Sequence, residues 1–177
     1  MAIDRIPSDR MGREPAGRPA AGSALAAGAD EIDCVLPYQT LLLGHTEQVR
    51  EFLTAVRQAT EGVCLKIIIE SGELVTCQQI SKATELVVES GADFVKSSTG
   101  KVKVGVTEEA ARIILAVIAA SDRPVGFKAS GGVRTVEQAL ILLELYESIT
   151  GKLALNSGLR IGASALSLEL YKQLSHQ

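Results

Sequence analysis

A chain of 177 residues, 46% hydrophobic and 22% charged, carries enough apolar material for one globular core, and no run of about 18 apolar residues offers a membrane span. A formal net charge of −3 leaves no basic surface for nucleic acid, so the expected partner is a small molecule. Two histidines (His45, His176) and three cysteines (Cys34, Cys64, Cys77), none at metal-ligating spacing, leave little material for a zinc centre or a histidine triad; the cysteine usage fits a reducing compartment and points to the cytoplasm as the expected setting.

In chain order, residues 1–21 read as an irregular segment in which Pro7, Pro15 and Pro19 interrupt Arg5, Arg10, Arg13 and Arg18. Asp4, Asp9 and Glu14 argue against a transit peptide, and no apolar stretch marks a secretory signal. Residues 22–177 form the expected domain, opening with a helical turn at 23–27 stopped by Gly28. Strand signals follow at 31–36, 64–70, 94–97, 125–128 and 159–161, and helical periodicity at 46–59, 76–89, 107–120, 135–149 and 163–174. Thr107 and Thr135 suit helix starts, with Glu108, Glu109 and Glu137 in the first turns, and Gly62 and Gly91 suit helix ends. Five βα units with near-continuous apolar strands predict a parallel sheet covered by helices, of barrel or doubly wound type.

In both architectures chemistry gathers at the carboxyl ends of the strands. The third strand delivers Lys96 into Ser97-Ser98-Thr99-Gly100-Lys101, and the fourth delivers Lys128 into Ala129-Ser130-Gly131-Gly132-Val133-Arg134. If both lysines enter one mouth, two ammonium groups about 4 Å apart at an effective dielectric near 20 repel by about 4 kcal/mol. One of them then favours its neutral form, an amine able to attack a carbonyl and form a Schiff base. Asp33, between Ile32 and Cys34 on the first strand, is placed to shuttle protons. The alternatives at this level are a lysine that only snorkels to solvent, and Asp33–Lys128 or Glu70–Lys66 ion pairs that only fix the core, with Lys66 a supporting residue.

The paired glycines at Gly131 and Gly132 let backbone amides approach an anion, and the helix starting near Thr135 adds a positive end. Val133 and Arg134 would add an N–H and a charge, while Gly162 and Ser164 after the last strand would close the other side. Taken alone, each turn is equally a tight strand-to-helix connection.

The segments at 28–33 (GADEID), 65–73 (LKIIIESGE), 91–101 (GADFVKSSTGK), 125–134 (VGFKASGGVR) and 160–164 (RIGAS) resemble the deoxyribose-phosphate aldolase family, from about Gly22 to the end. The resemblance implies a TIM (β/α)8-type barrel and a class I aldolase that needs no metal or other cofactor. It would cleave 2-deoxy-D-ribose 5-phosphate to D-glyceraldehyde 3-phosphate and acetaldehyde. It assigns Lys96 to the Schiff base, Lys128 to perturbing it and Asp33 to proton relay. Ser97 and Thr99, with hydroxyls beside the reactive lysine, are expected to bind substrate or its phosphate, and Gly100, Lys101, Gly131, Gly132, Val133, Arg134, Gly162 and Ser164 fall on phosphate-binding positions. Against that pattern Ser97 replaces a threonine, Ala129-Ser130 replaces Pro-Ala, and Ala165 replaces a second serine. Only about five of the eight units are represented. An incomplete barrel of this kind is expected to expose two strand edges and half of an apolar inner face, favouring a homo-oligomer or a complementing chain. The expectations are an aldolase acting on a phosphorylated sugar or aldehyde, a related Schiff-base aldolase with another substrate, or a truncated, weakly active or inactive module that only binds phosphate or assembles.

Overall fold

The computed structural model describes residues 28–163 and Leu166. Strands and helices alternate as β1 (Glu31–Val35), α1 (Tyr38–Leu42), α2 (Thr46–Ala59), β2 (Cys64–Ile68), α3 (Cys77–Glu89), β3 (Phe94–Lys96), α4 (Glu108–Ala119), β4 (Gly126–Ser130), α5 (Val136–Thr150) and β5 (Leu159–Gly162). All pairings are parallel and the order is β1-β2-β3-β4-β5. A sheet that grows always in one direction is the wall of a barrel, because the doubly wound alternative reverses its strand order.

Local chemistry explains the helix starts. The hydroxyls of Thr76, Thr107 and Thr135 accept from the N–H groups of Gln79, Ala110 and Gln138, and Gln79 and Gln138 return the bond to close capping boxes. Sequence patterning did not anticipate α1, a five-residue helix inside the Leu-rich run. The second strand is shorter than expected: Ile69 still donates to the carbonyl of Lys96, but Glu70 turns left-handed at φ 51° and ends the run. The turn expected at 23–27, Ser164, His176 and most of the helix expected at 163–174 lie outside the described residues.

The two faces of the sheet differ in kind. Ile32, Cys34, Leu65, Ile67, Val95, Phe127 and Ala129 are buried on the helix-covered side in one apolar cluster with Val49, Leu53, Val87, Ile114, Leu115 and Leu142. On the other side the register builds two rows, Asp33–Lys66–Phe94–Gly126 and Val35–Ile68–Lys96–Lys128–Arg160. The expectation of an exposed apolar inner face is therefore corrected. That face is largely charged, the charges are paired with one another, and of its apolar members Ile68 and Phe94 are buried and Val35 half-buried. Among the described residues no helix is long and apolar enough to cross a membrane, and no three His, Cys, Asp or Glu side chains are grouped to hold a metal ion.

Candidate active site

Asp33 is the hub of the inner face. Its Oδ2 receives Lys96 Nζ at 2.7 Å and Lys128 Nζ at 3.1 Å, while its Oδ1 receives Lys66 Nζ at 3.0 Å. Register explains the convergence, since Asp33 pairs with Lys66 and Lys96 pairs with Lys128, and paired residues of a parallel sheet share a face. The two lysines expected to meet do meet, with a carboxylate oxygen as their common partner. Lys66 is 2% exposed and among the largest fully buried side chains. It reaches Glu31 Oε2 at 2.6 Å as well as Asp33, and Glu31 in turn takes Arg160 Nη1 on both oxygens at 2.8 Å. The alternative Glu70–Lys66 pair is absent, because Glu70 is turned to the loop after β3.

The electrostatics follow from these contacts. Burial by itself would raise the Asp33 carboxyl, but the hydrogen-bonded ammonium groups of Lys96 and Lys66 outweigh it and hold the group well below the usual carboxylate range. The Lys66 and Arg160 contacts bring Glu31 down to about 2. Lys66 is penalised by burial, yet hydrogen bonds to Glu31 and Asp33 raise it above the ordinary lysine value. Both acids are therefore carboxylates near neutrality and Lys66 is an ammonium. Cys34 faces the apolar side, where burial pushes its thiol up to about 12 and leaves it unreactive.

Beyond the lysines, the loops after β3 and β4 are laced together. Ser97 Oγ donates to the Ser130 carbonyl and accepts from the Ser130 N–H, both at 2.9 Å, and Ser130 Oγ donates to the carbonyl of Ser98. Glu70 Oε1 takes the Thr99 N–H at 2.6 Å, Ser98 Oγ takes the Gly100 N–H at 3.0 Å, and Thr99 Oγ1 takes the Lys101 N–H at 3.1 Å. The amides of Thr99, Gly100 and Lys101 are thus occupied from within. The turn after β4 is different. Gly131 and Gly132 sit at φ +84° and +86°, and among the described residues no acceptor takes the N–H groups of Gly131, Gly132 or Val133.

The two loops touch backbone to backbone. A Cβ on Gly105 would lie 2.1 Å from the Gly131 carbonyl oxygen, and Val106 N–H donates to that oxygen at 2.9 Å. A Cβ on Gly162 would lie 3.1 Å from Ser130 Cβ and in ordinary contact, 3.5 Å, with Lys128 Cε. Lys101 and Arg134 are exposed at the same end of the sheet.

Glu31 and Arg160 are the charged members that sequence reasoning passed over, while Glu70, expected to pair with Lys66, instead serves the loop after β3. Glu31 lies two residues before Asp33, so strand alternation puts both on one face and is a usable signal. Nothing local marks Arg160, whose partner is 129 residues away in sequence. A cavity of about 850 Å³ opens at the opposite, amino end of the strands beside Arg57, Asp93 and Arg160, away from the Lys96–Lys128 pair. Arg57 there is committed to Asp93 at 3.1 Å and to the carbonyls of Thr60, Val63 and Gly91.

A parallel βα wall, with lysines and an aspartate meeting on its inner face, defines the class: an α/β protein of the TIM-barrel type. The chain belongs to the family of DeoC/LacD aldolases, whose model matches residues 12–167. It is 46% identical over 146 residues to the deoxyribose-phosphate aldolase of Agrobacterium fabrum, covering 81% of this chain and 56% of that relative, so it spans little more than half the relative's length. Among solved structures it is similar to a provisionally named deoxyribose-phosphate aldolase of Coccidioides immitis, with TM-score 0.77, 30% identity, and coverage of 89% of this chain and 57% of that one. The deoxyribose phosphate aldolase of Aeropyrum pernix, described as having a unique tetrameric structure, is 30% identical with TM-score 0.65, covering 87% of this chain and 60% of that one. An apo-form structure from Toxoplasma gondii, 23% identical, shares the fold at TM-score 0.83 over 90% of this chain and 65% of that one.

Proposed function

We propose that this chain carries the chemistry of a Schiff-base aldolase that cleaves 2-deoxy-D-ribose 5-phosphate to D-glyceraldehyde 3-phosphate and acetaldehyde. The observation that supports it most is the convergence of Lys96 and Lys128 on one oxygen of the buried Asp33 carboxylate. In the neutral form, the Lys96 amine adds to the C1 aldehyde of the open-chain sugar, and loss of water leaves an iminium. A base takes the proton of the C3 hydroxyl, the C2–C3 bond breaks, and its electron pair moves into the nitrogen-conjugated enamine while C3 becomes the aldehyde of the three-carbon product. Protonation of the enamine carbon and hydrolysis release acetaldehyde and restore the amine. Asp33, held as a carboxylate, receives and returns protons at this centre, and Lys128 supplies a positive charge beside Lys96 that disfavours a second ammonium. The open amides of Gly131, Gly132 and Val133, with exposed Arg134, suit the 5-phosphate.

The same ion pairs favour one other reading, in which the charges only hold the inner face and the chain binds phosphate or assembles without turnover. Association with copies of itself or a complementing chain, and a cytoplasmic setting, belong to the first reading. Borohydride trapping with acetaldehyde, followed by intact mass and peptide mapping, separates the two. An adduct confined to Lys96, and lost in Lys96→Ala, is expected. A folded chain that gives no adduct overturns the aldolase reading.

A further inference from the structure

We propose that Glu31 and Arg160 are positioning residues which, acting through Lys66 and Asp33, set how readily Lys96 gives up its proton; this rests on the Schiff-base reading above. The contacts form an unbroken chain of alternating charge. Arg160 is held from three sides: through Nη1 shared between both Glu31 oxygens at 2.8 Å, through Nε on the Asn156 carbonyl at 3.0 Å, and over the Phe94 ring at 4.4 Å from its centroid. The ring itself stands where Gly126 leaves space, since a Cβ there would lie 2.3 Å from it. Glu31 passes the contact to Lys66 at 2.6 Å, Lys66 to Asp33 Oδ1 at 3.0 Å, and Asp33 Oδ2 to Lys96 at 2.7 Å and Lys128 at 3.1 Å. A guanidinium fixed so firmly is a stationary charge and a stationary end to the chain.

The groups that face Lys96 are few. Asp33 and, beyond it, Glu31 come from β1, and Lys66 from β2. Glu70, at the end of β2, spends its carboxylate on Thr99 and Ser98. Lys128 comes from β4 and Arg160 from β5, with Cys64 beside Glu31 in the register and Lys101 within the loop after β3. The helices meet the other, apolar face. In the charged chain itself, four cations stand against two carboxylates, in a setting where Lys66, Asp33 and Lys96 are all buried. Each further charge is therefore felt at the amine.

The signs follow from the order of the chain. Without the charge of Arg160, Glu31 draws Lys66 more strongly, Asp33 is released toward Lys96, and the ammonium of Lys96 is favoured. Without the charge of Glu31, Lys66 turns wholly to Asp33, less of that carboxylate remains for Lys96, and the free amine is favoured. A merely structural pair, broken from either side, would move the amine in one direction only.

The test reads the amine without requiring turnover. The full chain is acetylated competitively with trace acetic anhydride across the pH range, and the Lys96 peptide is quantified by mass. Relative to the unsubstituted chain, Arg160→Met should move the midpoint of Lys96 reactivity up and Glu31→Gln should move it down. Each shift should be about one pH unit, the size expected for a unit charge within about 10 Å at an effective dielectric near 20. The double variant should return close to the starting midpoint, and Arg160→Lys should stay near it.

Shifts of the same sign, or none, in variants whose circular dichroism is unchanged overturn the proposal. If Arg160→Met does not fold, Glu31→Gln, which keeps the side chain's size, decides the sign by itself. Opposite shifts without a borohydride adduct would retain this inference and remove the aldolase reading. An adduct with no opposite shifts would do the reverse.

Discussion

Phe127 and Lys128 are consecutive on β4, yet they belong to two different problems. Phe127 is fully buried in the apolar cluster beneath the helices, while Lys128 points to the other face and ends on Asp33. On the helix side each large side chain removed from water contributes about 1.5–3 kcal/mol, and nothing has to be paired. On the inner side the attraction between charges is offset by the cost of dehydrating them, so the ion pairs add little net stability but are costly to break from one side. The helix side holds the sheet, and the sheet holds the charges at distances the charges alone would not maintain.

The contrast can be broken at several points. Asp33→Asn should reduce the rate of adduct formation at Lys96 by about 10²–10⁴-fold, the usual contribution of a positioned acid–base group, as measured by single-turnover trapping. A fall of less than threefold would show that the inner face is electrostatic filling. Phe127→Ala should destabilise the fold by about 3–5 kcal/mol, read by denaturant unfolding, while the fraction that stays folded keeps its reactivity at Lys96. Loss of reactivity with no loss of stability would deny the division between faces.

Gly126→Ala lies on the boundary, since it sits in the charged row but acts by packing. Its Cβ would fall 2.3 Å from the Phe94 ring, and a cost of about 1–3 kcal/mol is expected from overpacking. A neutral result would mean that Phe94 can move aside and that the platform beneath Arg160 is not rigid.

The smallest effect is in acid. Glu31 and Asp33 both have depressed values in the folded chain, so each contributes stability that is present above its ordinary value of 4.5 or 3.8 and is lost as pH falls through the folded value. For Glu31 that window runs from 4.5 down to about 2. Glu31→Gln should therefore flatten the fall in stability across it, with the difference muted because the Glu31 side chain is 39% exposed. An equally steep curve in the variant, followed by thermal melts at stepped pH, would place the acid sensitivity elsewhere.

Much of the architecture is legible from local rules. Thr107 and Thr135 mark their helix starts because a hydroxyl at that position satisfies an amide the helix leaves open, and the structure shows both bonds. Leu65, Ile67 and Ile69 read as a buried strand because parallel strands need apolar side chains toward their helices. The α1 helix stayed hidden in a Leu-rich run too short to display a period. At the site, Lys96, Lys128 and Asp33 were visible as charges ending or interrupting apolar runs. The loops after β3 and β4 both carry glycines, but hydroxyls and the Glu70 carboxylate fill the amides of Thr99, Gly100 and Lys101, while among the described residues no acceptor takes those of Gly131, Gly132 or Val133. That difference depends on where the side chains that follow two separate strands, β2 and β3, point.

The amino-acid sequence by itself determined the alternation of strand and helix, the capped helix starts, and the presence of lysines and an aspartate at positions where a buried strand should not carry them. Those features depend on residues within a few positions of each other, so local propensity and period encode them. The tertiary structure alone decided that Lys66 serves Glu31 and Asp33 rather than Glu70, and that Arg160 on β5 closes on Glu31 of β1, 129 residues earlier. Those pairings follow from register and from the curl of a five-stranded wall, which brings its first and last strands within reach of one another across the inner face.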